Sequence, residues 1–247
     1  MKSRAPGIRL YIDADLSSDG AIKLADGHAH YLRNVMRVES GDEILVFNGR
    51  DGEWRAVIAA IGKASVRLQI EVQTREQTPG PDLWLAFAPV KRGPIELIAG
   101  KACELGVSAL IPVITARTNV GRINRTRLQT IATEAAEQCG RLDVPEVKAP
   151  VDLPEFIADW PAERTLVVCD ETGGGMPIAE ALAGANPAAP WAVLVGPEGG
   201  FVKSELEAIT KLHIIKRVGL GPRILRAETA AIAALACWQA LVGERRP

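Results

Sequence analysis

Hydrophobic and polar positions follow two different patterns along the chain. Up to about residue 75, apolar and polar positions alternate in short runs, which is typical of half-buried β-strands. These runs cover residues 9–12, 43–47, 54–58 and 66–72, and turn-forming clusters at 41–42 and 48–52 separate them. One helix is predicted from His28 to about Val38. We therefore expect a small β-barrel or sandwich over residues 1–75.

Beyond residue 83, apolar runs alternate with helical patterns. The predicted strands are 83–88, 109–114, 165–169, 191–195 and 213–218, and the predicted helices are 95–105, 127–139, 178–183, 203–212 and 228–242. This alternation indicates an α/β domain whose parallel sheet is covered by helices on both faces. The stretch 76–82, rich in proline and glycine, is the predicted linker, so the second domain is expected over residues 83–247.

Two loops rich in glycine, proline and charge follow predicted strands of this second domain. The first, residues 194–201, contains Gly196, Gly199 and Gly200, whose missing Cβ atoms permit positive φ and a close ligand. Ser204 and Glu207 then have the spacing of a helix capping box. Such a loop lies beyond the carboxyl end of a strand, where open α/β sheets bind ligands. Taken alone, the loop also fits a tight turn without a ligand.

The second loop, residues 220–230, strengthens the prediction of a binding site. It leads into a helix that begins near Ala227 and is apolar or small nearly all round, so we expect that helix to be buried. Small residues near its start permit the close approach of other backbone. Together the two loops predict a bound small molecule.

Composition limits the class of protein. With 247 residues, 47% of them hydrophobic, the chain can form one large domain or two ordinary ones. No apolar segment approaches the ~20 residues of a membrane span, and residues 1–6 lack the apolar stretch of a signal peptide. His28 and His30 have no cysteine nearby, so we expect no metal site. The cysteines are isolated and are expected to be reduced core residues in the cytoplasm: Cys103, Cys139, Cys169 and Cys237.

Charge gives only local support for a nucleic-acid partner, because the net charge is −1. Two clusters of arginines could neutralise phosphates, and both also fit a solvated surface. One lies on the predicted first helix, where Arg33 and Arg37 stand four positions apart and share a face. The other occupies the stretch 117–127, which has no acidic residue: Arg117, Arg122, Arg125 and Arg127.

A polar face is predicted on the helix that ends near residue 139. Glu134, Gln138 and Arg141 share it, and it either meets RNA or a second subunit, or is solvated with a Glu137–Arg141 pair. Together with the apolar last helix, this face offers surface for a two-fold interface. We therefore expect a homodimer formed through the C-terminal domain.

Five segments of the chain resemble one known family. The two loops look like the cofactor loops of the SPOUT methyltransferases, and the second resembles the RsmE family, which methylates 16S rRNA. Residues 30–37 followed by Gly41 and Asp42 resemble that family's PUA-like N-terminal domain. Residues 101–107 and 134–141 are similar to its two internal helical motifs. Residues 91–96 depart from the pattern, since many relatives carry a polar and acidic run there.

The resemblance implies a fold and a reaction. The fold is a SPOUT-type parallel sheet with a trefoil knot, preceded by a small PUA-like β-barrel that binds RNA. The reaction transfers a methyl group from S-adenosylmethionine to N3 of a specific uridine, position 1498 in the usual rRNA numbering. The implied partner is the small ribosomal subunit. A methyltransferase of the same fold acting on tRNA or another RNA, and a nucleotide-binding regulator without catalysis, stay open as alternatives.

Site residues follow from the two loops and the arginine clusters. Arg226 is expected to stabilise negative charge on the base, unless it forms an ion pair with Glu228, and Glu198 to accept a proton or orient the base. The expected cofactor-binding residues are Leu194, Gly196, Pro197, Glu198, Gly199, Leu220, Gly221, Ile224, Leu225 and Arg226. The expected RNA-binding residues are Arg33, Arg37, Arg117, Arg122 and Arg141.

Overall fold

A computed structural model describes residues 7–119 and 121–243, so the predictions for residues 1–6 lie outside the described residues. The chain divides into two compact units. Unit 1 comprises the residues up to Pro79 together with Ala136–Val144, and unit 2 comprises Gly80–Ala135 and the residues from Pro145 onward. Among the described residues, no helix combines the length and the apolar composition needed to cross a membrane.

Unit 1 is built on a five-stranded sheet with the order β1-β3-β4-β5-β2. Its strands are β1 Arg9–Tyr11, β2 Ala21–Ala25, β3 Glu43–Phe47, β4 Glu53–Ile61 and β5 Ser65–Arg75. β1 pairs with β3 in parallel, and the other pairs are antiparallel. Alternate residues such as Ile44, Val46 and Leu68 are fully buried in one apolar core. The predicted strands are confirmed, and β2 was not predicted.

The helical segment of unit 1 is shorter than predicted. α1 spans Asp26–His30 and continues as a π-helical turn over Tyr31–Val35. Arg37 then takes a left-handed backbone with φ of 54°, which ends the helix. The prediction that Arg33 and Arg37 share a helical face is therefore wrong, because Arg37 lies beyond the last turn.

A half-buried arginine links β1 to residues 136–141 of unit 1. Arg9 donates from Nε to a Glu53 carboxylate oxygen at 2.6 Å, and its guanidinium lies 3.9 Å from the centre of the Phe47 ring. The same guanidinium donates to the Ala136 carbonyl at 2.8 Å and to the Arg141 carbonyl. Because the Ala136 carbonyl lies in the last turn of the helix that ends at Cys139, the cation also suits the local backbone dipole.

Unit 2 contains a predominantly parallel sheet with the strand order β11-β13-β10-β12-β6-β7-β8. The strands are β6 Leu83–Phe87, β7 Ala109–Ile114, β8 Glu146–Val147, β9 Val151–Asp152, β10 Thr165–Cys169, β11 Met176–Pro177, β12 Trp191–Val195 and β13 Ile215–Gly219. The short strand β9 pairs with β7 beside this path. The predicted α/β architecture with a parallel sheet is confirmed, and the trefoil knot stays a prediction.

Helices cover both faces of this sheet. They are α2 Arg92–Glu104, α3 Arg125–Cys139, α4 Leu153–Ala158, α5 Ile178–Ala181, α6 Lys203–Ile209 and α7 Ala227–Leu241. Alternate residues of β12 enter different cores: Val193 and Val195 pack in a core shared with α2 and α7, while Ala192 and Leu194 pack in one shared with α4 and α6. β10 and β12 are continuous apolar runs because both of their faces are buried. α4 was not predicted.

The end of α3 also corrects an expectation. The helix stops at Cys139, and Gly140 follows with φ of 81°. Arg141 therefore leaves the face of Glu134 and Gln138, and its Nε donates to the Asp143 carboxylate at 3.0 Å. The predicted polar face does not extend to Arg141.

Candidate functional site

Three loops leave the sheet of unit 2 at neighbouring positions. β10 lies between β12 and β13, and all three strands are parallel, with Val168 opposite both Leu194 and Arg217. Because parallel strands end at the same edge of a sheet, the loops that follow them are brought together. These loops are 170–175 after β10, 196–202 after β12 and 220–226 after β13.

The three loops and the first turn of α7 enclose an open cavity of about 260 Å³. This volume is near the lower end of the ~300–1,000 Å³ that small-molecule sites occupy. The lining combines apolar side chains with a few charged groups. The apolar members are Val195, Val218, Leu220, Ile224, Leu225, Ala227 and Ala230, and the charged members are Asp170, Glu171, Glu198 and Arg223.

The structure brings together most, but not all, of the residues expected to bind a cofactor. Those that line the cavity are Gly196, Pro197, Glu198, Leu220, Gly221, Ile224 and Leu225. Leu194 does not, because its side chain is fully buried in the core shared with α4 and α6. Gly199 lies against Arg117 instead. Arg226 is exposed and lies between two lining residues, Leu225 and Ala227.

The three glycines of the first loop differ in their surroundings and in their backbone conformation. A Cβ on Gly196 would lie 2.9 Å from the Phe201 ring. Gly200 has φ of 68°, and a Cβ there would lie 1.8 Å from the Glu171 carboxylate. The expectation of positive φ is wrong for Gly196 and Gly199, which both lie outside the left-handed region. The Gly199 carbonyl accepts a hydrogen bond from the Arg117 guanidinium.

A glutamate fixes the helix that follows the first loop. α6 begins at Lys203, and the Glu205 carboxylate accepts the backbone N–H of Val202 at 2.9 Å and that of Ala116 at 2.7 Å. The predicted capping box of Ser204 and Glu207 is therefore wrong, because the capping glutamate is Glu205, two residues earlier. Glu205 ties the loop after β12 to the loop after β7, because it binds one backbone amide from each.

The loop after β10 is the part of the site that sequence reasoning missed. The Asp170 carboxylate is fully buried and accepts bonds from the Thr172 backbone at 2.9 Å, the Thr172 hydroxyl at 2.7 Å and Arg217 at 2.5 Å. Burial, the largest single influence, raises the pKa of Asp170, but the bonds from Thr172 and Arg217 together outweigh it and the pKa is lowered. The sequence does contain one indication of this loop, the polar run that follows the predicted strand 165–169.

The N-terminus of α7 lies at the cavity, which Ala227 and Ala230 line. Arg226 occupies the N-cap position, and no side chain caps the helix. The first amides of a helix have no partner within it, and Ala227 lines the cavity, so these donors suit an anionic group. Within the described ranges Arg226 forms no ion pair, so the alternative pairing with Glu228 is absent.

The cysteines differ in exposure. Cys169 lines the cavity, and burial together with Cys237 and Glu171 raises the pKa of its thiol to about 12, so it stays protonated at neutral pH. Cys103 is buried as expected. The expectation of a core residue is wrong for Cys139, which is exposed at the end of α3.

The predicted RNA-binding arginines have different environments. Arg37 and Arg122 are exposed, and neither forms an ion pair in the part of the chain that the structure describes. The Arg33 guanidinium donates to the Lys63 carbonyl, and Arg117 and Arg141 make the contacts given above. Within the stretch 117–127, two further arginines find acidic partners elsewhere in the chain: Arg125 with Glu146 at 3.9 Å and Arg127 with Glu96 at 3.5 Å.

Two family models match the chain, one in each of two consecutive segments. An RNA methyltransferase domain matches residues 76–239, and an RNA methyltransferase PUA domain matches residues 24–71. The Ribosomal RNA small subunit methyltransferase E of Rickettsia conorii is 33% identical, over 92% of this chain and 93% of its own. The Synechocystis protein of the same name is 34% identical, over 95% and 78% respectively. The chain belongs to the family of Ribosomal RNA small subunit methyltransferase E.

Solved structures show the same fold. The Ribosomal RNA small subunit methyltransferase E of Neisseria gonorrhoeae, crystallised with S-adenosyl methionine, has a TM-score of 0.87 and 29% identity, covering 96% of this chain and 98% of that one. A Legionella pneumophila protein in complex with the bound cofactor SAM has a TM-score of 0.85 and 28% identity, covering 96% and 99%. The resemblance seen in the motifs is confirmed, as is the PUA-like N-terminal domain.

Replacement of Gly200 should disrupt the first loop. In Gly200→Ala the φ of 68° is strained and the exposed Glu171 side chain must move away from the added Cβ, so we expect the free energy of unfolding to fall by about 1–3 kcal/mol in urea denaturation. Gly221→Ala is the matched control, because φ is 108° there but nothing lies within 4 Å of the added Cβ. Equal losses in the two variants would contradict a specific contact between Glu171 and Gly200.

Proposed function

We propose that this chain transfers the methyl group of S-adenosylmethionine to N3 of a uridine in 16S rRNA of the small ribosomal subunit. The observation that carries the proposal is the cavity formed by the loops after β10, β12 and β13, in a chain of this family. A cytoplasmic location follows from the proposed substrate.

The lining of the cavity suits S-adenosylmethionine. Apolar side chains such as Val195, Val218 and Leu225 fit the faces of an adenine, and the amides at the start of α7 fit a carboxylate. Glu171 and Glu198 place carboxylates near the opening, where they favour a cationic sulfonium or ammonium group. The bound cofactor would supply an electrophilic methyl group. Most of the protein's contribution is then to position the two reactants.

The acceptor requires more chemistry than the donor. N3 of uridine carries a proton at neutral pH, so the base must lose that proton or its anion must be stabilised. We assign the stabilising role to Arg226, because its guanidinium stays charged, has no described ion-pair partner and adjoins the cavity at the N-cap of α7. Glu198 is exposed at the cavity and is the proposed proton acceptor or orienting group.

Arg226→Ala should separate binding from catalysis. We expect single-turnover methylation of small ribosomal subunits to slow by about 10²-fold, as loss of one preorganised charged donor does. The affinity for S-adenosylmethionine, measured by calorimetry, should change little because Arg226 does not line the cavity. Mass spectrometry of the product nucleosides identifies the methylated position.

Two outcomes of this experiment would contradict the assignments. A normal rate in Arg226→Ala would remove Arg226 from the mechanism. Methylation of tRNA in preference to the small subunit, or no methylation by the wild-type protein, would overturn the proposed substrate or the proposed activity. Glu228→Gln is the control. It changes the charge near Arg226 but keeps the guanidinium, so the methylation rate should stay within about twofold of wild type.

Exposed arginines are the proposed contacts to RNA phosphates. Arg37→Gln and Arg122→Gln should each weaken RNA binding and flatten the plot of log affinity against log salt by roughly one unit per lost contact. Arg55→Gln is the control, because Arg55 is already paired with Glu71 at 3.1 Å. Unchanged salt slopes in both variants would place the RNA on another surface.

We also propose a homodimer through the outer face of α7. Most apolar residues of this helix pack in the core of unit 2, but Ala236, Ala240 and Leu241 are exposed. Because the two alanines are small, this face permits the close approach of a second copy across a two-fold axis. Light scattering at micromolar concentration should give twice 26.4 kDa, and Ala236→Arg should give a monomer. A wild-type particle of 26.4 kDa would contradict the proposal.

A further inference from the structure

The loop after β10 is held to the rest of the site by one ion pair. Asp170 follows β10 directly, and its backbone N–H donates to the Val218 carbonyl of β13 at 2.9 Å. The Arg217 side chain, from the same strand β13, donates to the Asp170 carboxylate at 2.5 Å. One carboxylate therefore joins the loop to the neighbouring strand while Thr172 bonds its other oxygen.

Two glycines let the loop fold around this pair. A Cβ on Gly174 would lie 3.0 Å from the Arg217 guanidinium and 3.3 Å from the Asp170 carboxylate. A Cβ on Gly175 would lie 2.5 Å from the Val218 backbone. The loop thus packs closely on β13, and the conformation depends on residues far apart in sequence.

The ion pair is poorly arranged for stability alone. The carboxylate is completely buried, only one guanidinium nitrogen contacts it, and the Arg217 Nε is buried without a hydrogen-bond partner among the described residues. Desolvation of the buried Asp170 carboxylate offsets much of its attraction to Arg217, whose side chain is 35% exposed, so the pair adds little to the stability of the fold. The main effect of the ion pair is therefore to select one conformation of the loop after β10.

That conformation forms one wall of the cavity. Glu171, Thr172 and Gly173 line the cavity, and Glu171 also covers Gly200 of the loop after β12. We propose that Asp170 and Arg217 are positioning residues of the cofactor site, which act by fixing the loop that presents Glu171. The proposal rests on the proposed function in so far as S-adenosylmethionine is the ligand.

The chain offers a matched control pair. Arg164 donates to the Asp82 carboxylate at 2.7 Å, and its Nε is likewise buried without a partner in the described ranges. Arg164 precedes β10 and Asp82 precedes β6, so this pair lies at the opposite ends of the strands. Both pairs combine the same chemical groups, but only Asp170 lines the cavity.

The experiment compares Asp170→Asn and Arg217→Met with Asp82→Asn and Arg164→Met in the full chain. Calorimetry with S-adenosylmethionine should show a Kd raised roughly ten- to a hundred-fold in the first two variants, as misplacement of a binding group does. The rate at saturating cofactor should change much less than Kd. The two control variants should unfold more readily and yet bind with a Kd within about twofold of wild type.

A second measurement does not depend on the cofactor. Hydrogen exchange of the ligand-free protein should show faster exchange at residues 171–175 in Asp170→Asn and Arg217→Met, because each variant removes the ion pair that holds the loop to β13 and the loop opens more often. Unchanged exchange, an unchanged Kd, or an equal rise of Kd in the control variants would overturn the inference. A wild-type protein that binds no S-adenosylmethionine would instead overturn the proposed function, and the exchange data would still decide whether the pair fixes the loop.

Discussion

The parallel arrangement of β10, β12 and β13 is the constraint on which the site depends. The residues of β10 and β12 are buried on both faces, so helices must cover the sheet on each side. Since the three strands are adjacent and run in one direction, three loops leave the sheet side by side. The cavity is the space between these loops, and the start of α7 closes it.

Two similar ion pairs occupy the two ends of this sheet and have different consequences. At the amino ends, Arg164 binds the Asp82 carboxylate and the carbonyls of Asp82 and Trp191, and its guanidinium stacks 3.5 Å from the centre of the Trp84 ring. These contacts join strand starts within the core. At the carboxyl ends, Asp170 and Arg217 join a strand to a loop that lines the cavity. The same chemistry therefore stabilises the core at one end and shapes the site at the other.

The sequence predicts those features of the structure that depend on neighbouring residues, and it misses those that depend on residues far apart in the chain. The strands Thr165–Cys169 and Trp191–Val195 are predicted residue for residue, because a short apolar run bounded by polar residues is a local pattern. The loop after β10 is missed because its conformation depends on Arg217, which lies 47 positions from Asp170. Adjacent glycines pose the same difficulty: only the neighbouring side chains reveal that Gly200, and not Gly199, needs the left-handed region.

The first loop shows how these non-local contacts combine. Arg117, from the loop after β7, binds the Gly199 carbonyl, while Glu171, from the loop after β10, lies over Gly200. Glu205 binds amides of Val202 and Ala116 and so links two of the same loops again. The loops after β7, β10 and β12 are thus each bound by a charged side chain from elsewhere in the chain. The conformation of the first loop is therefore set by residues from three other segments of the chain as well as by its own turn.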